Sequence, residues 1–423
     1  MPRTEHPARA PIQADPATPF DMDATLFAAL ELSLSSWVVV ASAPGEDKAS
    51  KHKVDACDGP GLLALLRRLQ ARAERRCGGS VAVVAMQEAG RDGFWVHRLL
   101  EADGVRSYVV DPSSIAVNRR SRRAKTDRID AEAMLRTLMA WARGERQVCA
   151  MVRAPTREAE DARRLGRERE ALLAERIRHA NRIKGLLATQ GVFGFEPTGL
   201  NRHTRLAELR TPEGCALPPR LLAEIRRQVD RLELAMQQLA AVEDDRDAAF
   251  AAERVAVPGI HGVDEAERAT GGEGTSAAVA VLPGGEGPGA RLLRLRGVGP
   301  ETASVLACEA FFRDFRNRRE VASYAGLAPS PWQSGGVDHE QGISKAGNHR
   351  VRRIMGQLAW LWLRNQPNSA LSVWYRERVR DGRGRIKRIA ITALARKLLV
   401  ALWRFVTHGL VPTGAVLKPA RTG

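Results

Sequence analysis

Four carboxylates stand where hard oxygen donors could hold a divalent cation. Glu31 follows the apolar run Leu26–Leu30 and Glu88 follows Val81–Met86. Acids at the ends of such runs are costly to bury unless they face a partner or an ion. Asp127 and Asp130 lie three apart in Lys125-Thr-Asp-Arg-Ile-Asp-Ala131, a spacing that puts both on one face of a helix. Four such donors at one sheet edge suit Mg²⁺ (or Mn²⁺), and a pair of these ions clamps the attacking and leaving oxygens of a phosphoryl transfer. Taken singly, each acid also reads as a solvated cap or a surface charge.

Three further groups bear on the same chemistry. Arg119, Arg120, Arg122, Arg123, Lys125 and Arg128 surround the aspartates. They read either as mutual neutralisation on a solvated face or as a clamp whose guanidinium forks match phosphate oxygens. Leu295-Arg-Gly-Val-Gly-Pro-Glu-Thr-Ala303 pairs a Gly-Val-Gly turn with a helix start, which offers free amides to an anion or is a plain turn with Pro300 at the first helical position. Ser334, followed by Gly335 and Gly336, lies on permissive backbone, where its hydroxyl is either a nucleophile or part of a turn. No histidine is nominated as its base by spacing alone; His339 and His349 are the near ones.

The elements that must position these groups fall into four stretches. From Thr25 to about residue 150, short apolar runs alternate with helical periods: strands at Leu26–Leu30, Trp37–Ala43, Val81–Met86 and Ser107–Val110, helices at Gly61–Arg76 and Gly93–Ala102. That alternation means an α/β fold around a central sheet. Residues 155–255 read as charge-rich helix. Leu222, Ile225, Val229, Leu232, Met236 and Leu239 form the a/d seam of a coiled coil, and Leu173, Ile177, Ala180 and Leu187 form a weaker first half, so a helical hairpin arm is expected. Residues 256–290 are a glycine-rich linker or insertion, and 291–410 form a second, mainly helical domain. Residues 1–24, rich in proline, read as a disordered leader and 411–423 as a tail.

Composition narrows the partners. The 423 residues carry 66 Lys and Arg against 49 Asp and Glu, a formal net charge of +17, which calls for a polyanion and first of all nucleic acid. No apolar run is long enough to span a bilayer, and no signal-peptide pattern precedes the first strand, so a cytoplasmic protein without a membrane partner is expected. Five cysteines with no C-x-x-C pair, and histidines without ligand spacing, argue against disulfides and zinc.

Taken in order, these pieces resemble one family. Gln87-Glu-Ala-Gly-Arg-Asp-Gly93, Val110-Asp-Pro112, Ala124-Lys-Thr-Asp-Arg-Ile-Asp-Ala131, Leu295-Arg-Gly-Val-Gly299, Tyr324-Ala-Gly-Leu-Ala-Pro329, Ser334-Gly335 and Ile343-Ser-Lys-Ala-Gly-Asn348 look like the transposases of the insertion-sequence one-ten family. The likeness runs from about Ala28 to Gly409 apart from the glycine-rich insertion. It implies an α/β RuvC-like (RNase H-type) N-terminal domain with a D-E-D-D metal site, a coiled-coil arm, and a mainly α C-terminal domain with a helix-hairpin-helix-like turn and a catalytic serine. The implied activity is recombination of donor and target DNA, guided by a bridge RNA. The acids fall on Glu31, Glu88, Asp127 and Asp130 and the serine on Ser334, with Lys345, Arg350, Arg352 and Arg353 expected on phosphates. Glu31 departs from the pattern, which has Asp there; the extra methylene shifts the carboxylate by roughly 1.5 Å, against the strict octahedral geometry of Mg²⁺. The serine and the acids lie about 200 residues apart in sequence, so the reading needs domain docking within or between chains, and a dimer or tetramer is expected. A junction endonuclease that hydrolyses with a metal-bound water, or a relic that binds without cutting, are the rival readings.

Overall fold

The computed structural model describes residues 20–90, 93–115, 127–255, 286–334, 337–380, 382 and 384–418. The Arg119–Lys125 cluster, most of the expected leader and most of the glycine-rich stretch lie outside these residues. The chain divides into two compact units, residues 1–155 and 156–423.

The first unit is a six-stranded mixed sheet between two helical layers. Its elements are β1 (Thr25–Leu32), β2 (Ser36–Ser42), β3 (Ser50–Asp55), α1 (Gly59–Cys77), β4 (Ala82–Glu88), α2 (Trp95–Ala102), β5 (Arg106–Val110), α3 (Asp127–Ala142) and β6 (Met151–Val152). The sheet order is β3-β2-β1-β4-β5-β6. β1, β4 and β5 run parallel, while β2, β3 and β6 pair antiparallel to their neighbours. Because side chains alternate along a strand, β1 feeds two cores. Leu26, Ala28 and Leu30 pack with α1 and α2, whereas Phe27 and Ala29 pack with Ala131, Met134 and Leu138 of α3. The second core starts earlier than the expected leader boundary. Phe20 meets Phe27, Tyr108 and Trp141 at ring-centroid distances of 6.4, 6.2 and 6.0 Å, an aromatic cluster that ties down the chain ahead of β1.

The second unit begins with two long helices, α4 (Arg157–Ala188) and α6 (Pro219–Val255), joined through the short α5 (Arg202–Glu208). They pack antiparallel, as shown by Arg169–Glu243, His179–Gln228 and Arg182–Glu224 contacts of 2.6, 2.8 and 2.8 Å. On α6 the buried stripe Ile225, Val229, Leu232 and Leu239 coincides with the apolar spacing. On α4 the stripe differs from the expected one. Leu172, Ile183, Leu186 and Leu187 are buried, while Ile177 is 50% exposed. Counting by alternate threes and fours from Leu172 to Ile183 passes through Arg176 and His179, two half-buried polar residues that break the apolar pattern in sequence.

The rest of this unit is α7 (Pro288–Leu293), α8 (Pro300–Glu309), α9 (Arg318–Tyr324), the hairpin β7 (Pro329–Ser334) and β8 (Val337–Ile343), then α10 (His349–Asn365), α11 (Ala370–Val379) and α12 (Arg385–His408). α7, α8, α10 and α12 share one core centred on Trp362, Leu358, Leu398 and Phe405. Much of the expected tail is fixed. Leu417 bridges to Leu295, the Lys418 amide donates to Arg294 O at 2.6 Å and the buried Gln366 side chain bonds Arg296 O and both polar groups of the Val416 backbone. These bonds brace the Gly-Val-Gly turn between α7 and α8.

Candidate active site

β1 and β4 place two of the four acids together. Their parallel register pairs Leu30 with Gln87, so Glu31 and Glu88 stand at the same level, one residue on, where both strands end. Glu31 continues the series Phe27, Ala29 and Glu88 continues Val84, Met86, the residues of the core that α3 covers; alternation therefore sets both acids on the α3 face. Both are half-buried, and Oε2 of Glu31 has no contact with solvent.

α3 carries the other two acids in its first turn. Trp141, near its end, lies 4.8 Å from the Tyr108 ring and also meets Phe20, which precedes β1. The helix thus runs back along the sheet, and its first turn points to the side where β1 and β4 finish. Asp127 opens the helix, four residues before buried Ala131, and half-buried Asp130 lies four before buried Met134. The side chains of Asp127 and Arg128 lie outside the described residues. Among the described residues no group of three or more His, Cys, Asp and Glu is drawn up to metal-binding distance. The donor chemistry nonetheless fits a hard divalent cation, since carboxylates such as the level pair Glu31 and Glu88 are the oxygen ligands Mg²⁺ takes.

Ser334 is the last residue of β7 and pairs with Val337 of β8. Gly335 and Gly336 between them, and the Ser334 side chain itself, lie outside the described residues. His339 pairs with Trp332 across the same hairpin, and His349 is exposed as the first residue of α10. The hairpin is an element that the reading of a mainly helical domain missed, although two glycines between extended runs are a hairpin signal.

The two feet of this hairpin are fastened to each other. Ser344 N donates to Ala328 O at 2.9 Å, Lys345 N to Gly326 O at 3.1 Å and Asn348 N to Tyr324 O at 2.7 Å. The approach needs glycine on both sides. Gly326 and Gly347 have φ of +64° and +97°, and a Cβ on Gly347 would lie 2.4 Å from Tyr324 O. Lys345 itself adopts φ +58°, and Arg352 Nη1 donates to Lys345 O at 2.7 Å. The strings Tyr324–Pro329 and Ile343–Asn348 are thus the bases of the strands that carry Ser334.

Glu309, which the sequence reading did not single out, anchors the feet from beneath. It is 6% exposed; Oε1 accepts from Arg167 Nε at 3.1 Å and Oε2 from Asn348 Nδ2 at 3.1 Å, while its backbone oxygen accepts from the Tyr324 hydroxyl at 2.7 Å. Asn348 Oδ1 in turn caps α10 by accepting from Arg350 N and Val351 N. Arg350 and Arg353 both bind Glu170 of α4 at 2.8 Å. Of the four cations expected on phosphates, these two have an internal carboxylate partner, Arg352 holds backbone carbonyls and Lys345 is exposed. The Glu170 carboxyl is held below its ordinary range: burial opposes this, and the Arg350 and Arg353 guanidiniums outweigh it.

Comparison with known families follows these same segments. Residues 33–190 match a family model described as transposase, of the DEDD type of IS110, and residues 289–373 match one described as the transposase IS116/IS110/IS902 family. The first match takes in Glu88, Asp127 and Asp130 and starts two residues after Glu31; the second takes in the Gly-Val-Gly turn, both hairpin feet and Ser334. A Sinorhizobium fredii chain carrying the transposase designation y4rJ is 51% identical over 96% of this chain and 98% of its own length. The transposase for insertion sequence element IS1328 of Yersinia enterocolitica is 25% identical over 68% of this chain and 73% of its own. The transposase for insertion sequence element IS1111A of Coxiella burnetii is 26% identical over 78% of each. With both segments matched and one relative similar along nearly its whole length, the chain belongs to the IS110 family of insertion-sequence transposases and is a DNA transposase.

Proposed function

We propose that this transposase cuts and rejoins DNA through Ser334, assisted by a divalent cation at Glu31, Glu88, Asp127 and Asp130. The observation that carries the proposal is the level register of Glu31 and Glu88 on the α3 face, at the edge toward which α3 directs its first turn. Those four carboxylates would hold Mg²⁺ or Mn²⁺, which when bound stabilises negative charge on the scissile phosphate. The strand order, with α3 backing its parallel centre, supports a RuvC-like domain; the α4–α6 pair supports a coiled-coil arm, and the α7–α8 turn a helix-hairpin-helix element.

Ser334 Oγ attacks phosphorus, the P–O bond to one DNA strand breaks with its electron pair on the departing oxygen, and the proton lost by the serine hydroxyl ends on that oxygen, leaving a phosphoserine link and a free DNA hydroxyl. The reverse attack by a DNA hydroxyl releases the serine and joins new strands. The hairpin feet hold β7 and β8 in register, so the serine backbone is positioned before substrate arrives. The Arg119–Lys125 group, with Arg128, and Lys345 contact phosphates. A bridge RNA, as the family resemblance implies, and assembly as a dimer or tetramer, as docking of the serine onto the acids would need, complete the proposal.

The test is covalent trapping on a nicked suicide DNA duplex, resolved on a denaturing gel. Asp127→Asn and Ser334→Ala should each abolish the adduct while DNA binding stays near that of the parent. An adduct that persists in Ser334→Ala, or maps by peptide analysis to Ser344 or Tyr324, refutes the serine assignment. Cleavage without any adduct in the parent chain favours direct hydrolysis.

A further inference from the structure

The second unit contains a cleft of about 870 Å³ that the site above does not use. Its lining includes Arg318 and Arg319 from α9, Arg396, Lys397 and Arg404 from α12, and the aliphatic Leu371, Val400, Val411 and Pro412, with no carboxylate among the described residues. α12 extends this bias, with Arg385, Lys387 and Arg388 in its first turn and no Asp or Glu anywhere along it. Like charges gathered without counter-charges repel one another and cost stability. Among the described residues, Arg318, Arg319, Arg396 and Arg404 have no ion-pair partner, in contrast with Arg350 and Arg353, which share Glu170. Lys397 lies with Nζ 4.8 Å from the Trp374 ring centroid, held by the face of an indole rather than by an acid.

We infer that this cleft is a binding surface for the backbone of duplex DNA. Arginine forks suit phosphate oxygens, and aliphatic side chains suit the apolar face of deoxyribose. Among the described residues the lining has no aromatic ring, so these residues offer no platform for unstacked bases of a single strand. Pro329, the first residue of β7, forms part of the wall, and the strand carries the chain about 17 Å from there to Ser334. DNA in the cleft therefore lies at the base of the hairpin. This assignment rests on the DNA substrate of the family and is independent of which residue attacks the phosphate.

The experiment is fluorescence anisotropy of the full chain with a labelled 30-base-pair DNA duplex across a salt series. Arg318→Ala with Arg319→Ala, and separately Arg396→Glu with Arg404→Glu, should each weaken binding about tenfold or more and lower the slope of log K against log salt by about 2, one for each arginine withdrawn from a phosphate. Arg396→Lys with Arg404→Lys should retain most of the affinity. Lys51→Ala with Lys53→Ala removes the same charge as the Arg318 and Arg319 pair, from the exposed edge strand β3, and should leave both readings near the parent. Equal weakening in that control reduces the effect to net charge and overturns the assignment, as do an unchanged slope in both arginine pairs or a loss confined to a labelled RNA duplex of equal length. If the Glu pair fails to fold, the exposed Arg318 and Arg319 pair reads the same quantity. Loss of the covalent adduct with binding intact leaves the cleft assignment standing.

Discussion

Gly347→Ala tests the fastening of the hairpin feet. The added methyl carbon would meet Tyr324 O at 2.4 Å, with Ser323 O and Tyr324 C both at 3.0 Å, all of them backbone atoms that cannot swing aside like a flexible side chain. The φ of +97° adds about 1–2 kcal/mol for any residue with a Cβ. Pushing the Tyr324 carbonyl away also breaks its bond from Asn348 N, a net loss of about 0.5–1.5 kcal/mol. Together these come to about 1.5–3.5 kcal/mol, which lowers the melting temperature of a unit this size by about 3–14 °C. Differential scanning calorimetry of the full chain measures the shift. Gly185→Ala is the matched control: nothing lies within 4 Å of its Cβ position in α4, so alanine there should be neutral or stabilising by up to about 1 kcal/mol. A Gly347→Ala protein that melts within about 2 °C of the parent, the shift that less than 1 kcal/mol would give, refutes the close approach and the role given to these strings.

Two further outcomes are expected. Burial, and secondarily the Arg98 charge, pushes His97 down to about 4 from its ordinary 6.5, outweighing Glu101 at 3.4 Å; Nδ1 is buried without a hydrogen-bond partner, so protonation would strand a donor. Because the folded pKa lies below the unfolded one, this stability is full above pH 6.5 and is lost as pH falls toward 4, by about 3 kcal/mol at 1.36 kcal/mol per unit; urea midpoints should fall across that window, and less so in His97→Leu. Val229→Asp with Leu232→Asp puts charges at positions 1% and 0% exposed, at about 2–4 kcal/mol each, and should reduce helical circular dichroism, whereas Ile177→Asp, on the exposed side of α4, should change it little. Equal effects from both would mean that the α4 stripe is the sequence-read one.

Legibility followed burial. β1, β2 and β4 were readable because both of their faces are covered and their central residues are continuously apolar, and β5 through the short run Tyr108–Val110. β3 was not, because an edge strand carries Lys51, His52 and Lys53, the charged pattern that keeps edges from pairing with other chains. β6 has two residues and no pattern to read. The α4 stripe was misplaced because Arg176 and His179 occupy seam positions, His179 satisfied by Gln228 across the hairpin. The acids at the ends of β1 and β4 were legible as interruptions of apolar runs. Their shared level was not, since it depends on which strands are neighbours.

Glu309 shows where sequence spacing runs out. A single glutamate at the end of a helix carries no signal, and its partners Arg167, Asn348 and Tyr324 come from 142, 39 and 15 positions away. The neighbouring strings were legible as motifs for a different reason than chemistry. Gly326 and Gly347 are required by backbone lying against backbone, Asn348 by two helix amides and a carboxylate, and Arg352 by two carbonyls. None of these side chains needs to touch DNA for the strings to be demanded. Their chemical content is the hairpin they hold, so a substitution at either foot should act on Ser334 through strand register, and on stability at the same time, before any contact with a phosphate is made.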